Sequence, residues 1–161
     1  MVIGQVESDC MRLQIRRFLA VAALAVWIGG LTFYAAVVVP VGGELLGETQ
    51  QGFVTQRVTN WLNGIGAVAL LLVGVYLLEQ RGRLLFSNWC VLLLIQIGLF
   101  LVHVSLDRML EHETTSVLDP DRFYGVHRIY LLLTTTQWLF GVVALWACLM
   151  PSRRAAAGGT P

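Results

Sequence analysis

"FLAVAALAVWIGGLTFYAAVVVPV", Phe18 to Val41, is the stretch that decides the fold. It holds no charged residue and follows a basic cluster, Arg12, Arg16 and Arg17. A cleaved secretory signal starts in a similar way, but its apolar core runs only about 7–15 residues. This run goes well past that limit. It reads as a retained helix that crosses a bilayer, for which about 20 helical residues suffice.

Three more runs of the same kind follow. They are "WLNGIGAVALLLVGVYLL", Trp61 to Leu78; "WCVLLLIQIGLFLVHVSL", Trp89 to Leu106; and "IYLLLTTTQWLFGVVALWACLM", Ile129 to Met150. Lipid offers the backbone no partner, so each run has to be a helix. A membrane β-barrel would instead show short alternating segments. The expected fold class is all-α, an integral membrane four-helix bundle. Residues 1–17 form a cytoplasmic lead-in, 18–150 the transmembrane domain, and 151–161 a flexible cytoplasmic tail. Helices are expected at about 18–41, 54–79, 87–110 and 120–150.

Composition agrees. The chain has 161 residues, 57% of them hydrophobic and 13% charged, with a mean hydropathy of +0.71. A soluble domain carries roughly twice that share of charge. The net charge of +1 provides no basic field for nucleic acid, so the lipid bilayer is the expected partner. Cys10, Cys90 and Cys148 form neither a CxxC pair nor a metal-ligand spacing.

Arginine sets the expected orientation, because basic residues accumulate on the cytoplasmic side. Arg12, Arg16, Arg17, Arg81, Arg83, Arg153 and Arg154 fall on one side; Arg57, Arg108, Arg122 and Arg128 fall on the other. Both termini are therefore expected to be cytoplasmic, in a multi-pass protein of the inner membrane. On the outer side, Pro40 and the glycines after it are expected to close the first helix. The second should regain helical character near Gln50 and present Arg57, Asn60 and Asn63 to the bundle. Asp119 before Pro120 is a helix start, so the fourth helix should begin there, well ahead of its apolar run.

Two polar stripes carry the functional expectation. Gln96, His103, Asp107 and Glu111 recur at steps of seven, four and four. His127, Tyr130, Thr134 and Gln137 recur at three, four and three. Each set shares one helix face. Antiparallel neighbours would bring them together as a seam, with both histidines near the outer boundary. Facing lipid is costly for such groups. The expected site is a polar outer cavity between the third and fourth helices that takes a small ligand or ion. Its residues are His103, Asp107, His127, Arg128, Tyr130, Thr134, Gln96 and Gln137, with Arg57 and Asn60 at the rim. Alternatively, His103 and His127 hold haem b or copper, since imidazole serves both. Interfacial placement and interhelical hydrogen bonding explain the same pattern without a ligand. Homodimerisation and membership of a larger membrane complex are both open. Nothing supports a standard hydrolase: the chain has no nucleophile–base motif, P-loop or zinc spacing.

The stretch "WIGGLTFYAAVVVP" resembles the first helix of a loose group of small bacterial membrane proteins. The group includes copper-resistance-D-like proteins, HemJ-type protoporphyrinogen oxidases and an uncharacterised four-helix family whose first helix reads W-x-G-G-x-x-F. The last is the best match, through Trp27, Gly29, Gly30 and Phe33, and implies a four-helix fold but no activity. The copper-resistance-D likeness implies copper handling. The HemJ-type likeness implies haem chemistry through a histidine about two turns before the tryptophan. Ala20 and Val21 stand there instead.

Overall fold

The computed structural model describes residues 2–79, 82–111, 116–117 and 120–150. The chain runs through α1 (Val2–Phe33), a π-helical turn (Tyr34–Val38), α2 (Val39–Leu46), α3 (Glu48–Leu77), α4 (Arg83–Asp107) and α5 (Pro120–Leu149). A two-residue antiparallel pair, β1 (Leu110–Glu111) and β2 (Ser116–Val117), lies between α4 and α5. Four helical stretches are long and apolar enough to cross a membrane: Cys10–Leu46, Gln50–Leu77, Arg83–Asp107 and Arg122–Leu149.

The first span differs from expectation at Pro40, which does not close it. The helix continues to Leu46, for a local reason. Proline has no N–H and its ring crowds the carbonyl of the preceding turn. The chain widens into the π turn before Pro40, and Val39 N–H reaches back to the Tyr34 carbonyl. Pro40 then falls in the first turn of α2, where a missing N–H costs little. The reversal comes at Gly47, whose φ of 79° lies in the left-handed region that a Cβ disfavours. One residue thus joins α2 to α3. α5 starts at Pro120, as expected; Asp119, the expected cap, lies outside the described residues.

The helices pack in ring order: α1 on α3, α3 on α4, α4 on α5, and α5 back on α1. Trp27 is the hub, 1% exposed. A β-carbon at Gly66 of α3 would lie 2.6 Å from Trp27 Nε1, and one at Gly141 of α5 would lie 3.1 Å from its ring. Both positions need glycine because the indole is wedged between those two backbones. Leu24, Leu70, Val73, Leu92 and Ala144 fill the core on the arginine-rich side of this hub. At that end Arg17 donates to the carbonyls of Cys148 (2.7 Å) and Leu149 (2.6 Å), which α5 leaves unpaired, and Arg16 meets Glu79 at 2.6 Å. The outer surface carries Val68, Leu71, Leu94, Ile97, Leu101 and Leu132, all exposed. So much exposed apolar area is what a lipid-facing wall presents.

Candidate functional site

The buried face of α4 runs Leu85, Asn88, Leu92, Gln96, Leu99, His103 and Leu106. These positions step by three or four, which places Gln96 and His103 in one column pointing into the bundle. Gln96 ties three helices together. Gln137 Nε2 of α5 donates to Gln96 Oε1 at 2.7 Å, and Gln96 Nε2 donates to the Asn63 carbonyl of α3 at 3.3 Å. Asn63 in turn donates to Tyr130 Oη of α5 at 3.0 Å. All four side chains are buried.

Two turns along α4 from Gln96, the His103 ring packs against Tyr130, with centroids 6.0 Å apart. His103 Nε2 stands 3.6 Å from Asp107 Oδ1, an ion-pair distance when the imidazole is protonated and too long for a hydrogen bond. The same Oδ1 accepts from Gln56 Nε2 of α3. Asp107 is 41% exposed on its side chain, so this layer lies at the outer rim of the bundle.

The stripes therefore meet through Gln96, His103, Asp107, Tyr130 and Gln137. The other expected members lie apart from them. His127 is half-buried and stacks on Phe123 of its own helix, at 5.9 Å and 6°. Thr134 donates to the Tyr130 carbonyl one turn back at 2.9 Å. Arg57, Asn60 and Arg128 are exposed. The buried column of α3 is Gln51, Thr59 and Asn63, not Arg57 and Asn60. Gln51, Thr55, Thr59 and Asn63 follow at steps of four, a periodicity that marks one face. Gln51 and Thr59 were missed although this signal was present; Gln56 lies outside that series.

His103 packs on Tyr130 and His127 on Phe123, so the two imidazoles have different neighbours. The α4–α5 interface at that level is filled by Leu99, Leu106 and Tyr130, with Val102, Phe123 and Val126 packed against them. Among the described residues, no three His, Cys, Asp or Glu side chains gather as a metal site. Two open clefts lie elsewhere. One, about 280 Å³, lies between α4 and α5 against Leu84, Asn88, Phe140 and Val143. The other, about 300 Å³, lies against Phe53, Val54, Gln56 and Arg57, beside the Gln56–Asp107 contact.

Comparison with protein-family models, with curated proteins and with solved structures finds no match to this chain. The class is defined by the fold alone: an all-helical protein with four helices long and apolar enough to span a membrane.

Proposed function

We propose that this is a multi-pass protein of the bacterial inner membrane with both termini in the cytoplasm. Its outer half holds a polar site for a small ligand or ion, centred on His103, Asp107 and Tyr130. The observation that carries this reading is His103 itself. The residue is 7% exposed, makes no hydrogen bond among the described residues, and stands 3.6 Å from a carboxylate that reaches the rim. Its ring nitrogens are not among the sealed unpartnered side-chain atoms, so the imidazole keeps a polar edge open beside Asp107 that a ligand or ion can take. The arginine distribution supports the orientation. The W-x-G-G-x-x-F likeness supports kinship with small four-helix membrane proteins.

The test uses a variant with Cys10, Cys90 and Cys148 replaced by alanine, into which His103→Cys is introduced. A membrane-impermeant methanethiosulfonate reagent added to whole cells should modify position 103. Modification only after permeabilisation, or none at all, rejects an outward-opening site.

A further inference from the structure

The seam between the first span and α3 contains a phenol that the described fold leaves unsatisfied. Tyr34 is the first residue of the π turn and is 7% exposed. Its hydroxyl has no hydrogen-bond partner among the described residues. The Thr55 hydroxyl is its polar neighbour on α3 but falls outside hydrogen-bonding geometry, and the Tyr130 phenol lies within electrostatic range. Tyr130 Oη accepts from Asn63 and has the Thr59 and Thr134 hydroxyls as further neighbours, which leaves it a second lone pair. Gln51, one turn from Thr55 on the same face, is a second buried side chain whose Nε2 lacks a partner.

A buried hydroxyl without a partner is rare, and the usual resolution is an internal water with two to four polar contacts. π turns are themselves rare and concentrate where a helix serves a site. Thr55 of α3 and Tyr130 of α5 are the polar neighbours of Tyr34, so hydroxyls from three helices lie near one another. All three are neutral, so the occupant is a small neutral molecule that both donates and accepts.

We propose that a water molecule occupies this place. It accepts from Tyr34 and donates to Thr55 and Tyr130. It extends the outer polar site, on whose existence this inference rests, from Asp107, His103 and Tyr130 across to the first span.

Two measurements on the full chain in nanodiscs test it. In X-ray hydroxyl-radical footprinting, radicals born from bound water mark adjacent side chains even where bulk solvent is excluded. Tyr34 should be modified faster than Trp27, which is 1% exposed and wedged between glycine backbones. A Tyr34 rate no greater than that of Trp27 overturns the proposal. In thermal unfolding, Tyr34→Phe should lower the midpoint, and its effect should be non-additive with Tyr130→Phe. If the hydroxyl is a true orphan, removing it relieves a desolvation cost, and an unchanged or raised midpoint overturns the proposal. Labelling at position 103 is independent of both readouts. A dry Tyr34 beside a labelled position 103 removes the water and leaves the outer site standing; an unlabelled position 103 removes the site itself.

Discussion

Gly66→Ala adds one methyl group at the centre of the bundle, and its cost follows from the packing. The new Cβ would lie 2.6 Å from Trp27 Nε1, 2.8 Å from Trp27 Cε2 and 3.1 Å from Gln96 Oε1. None of these atoms can swing away freely. Trp27 is held on its far side by Gly141, and Gln96 is fixed by Gln137 and by the Asn63 carbonyl. The helices must separate, and overpacking of this kind costs about 1–3 kcal/mol. Gly29→Ala is the matched control, because a Cβ there meets nothing within 4 Å. It should be neutral or stabilising, by at most about 1 kcal/mol, since alanine is the better helix former. The readout is unfolding in detergent followed with a thiol-reactive dye. Cys148 is fully buried and reports opening, once exposed Cys10 and partly buried Cys90 have been replaced by serine. A Gly66→Ala protein as stable as its parent would refute the wedge. So would a Gly29→Ala protein as damaged as Gly66→Ala.

Gln96→Leu should destabilise by about 1–3 kcal/mol, because it leaves Gln137 Nε2 and the Asn63 carbonyl without their partner. The double variant Gln96→Leu/Gln137→Leu should cost less than the sum of the singles; additive losses in the same unfolding assay would contradict a shared bond. Gly47→Ala should cost about 1–2 kcal/mol through its positive φ, with little change in helical content by circular dichroism. A neutral result would mean that the reversal between α2 and α3 is not built on this residue. Arg17→Gln should weaken the end of α5 by roughly 1 kcal/mol, read as faster hydrogen exchange near Leu149. Unchanged exchange there would count against the cap.

The four long apolar helices were legible because the length and composition that would let a helix cross a membrane are set over about 20 residues, and no local detail overrides them. The start of α5 was legible because proline is favoured in the first turn of a helix, and Pro120 opens α5. The continuation through Pro40 was not legible. A π turn is a backbone compensation, and "YAAVVVP" carries no local mark of it. The polar seam was half legible. Steps of three and four along α4 and α5 selected Gln96, His103, Tyr130 and Gln137, all of which are buried in the bundle. They also selected Thr134 and His127, whose partners lie on their own helix, because periodicity places a residue on a face but does not say what its side chain bonds. On α3 the reading named Arg57, Asn60 and Asn63. Only Asn63 is buried, in the column that also holds Gln51 and Thr59.

The orientation of the chain is most directly tested by single-cysteine labelling in intact cells with a membrane-impermeant maleimide, in the cysteine-free background. Asp107→Cys should be labelled from outside, whereas Ser8→Cys should be labelled only after the membrane is opened. The reverse pattern would turn the His103–Asp107 layer toward the cytoplasm and contradict the account.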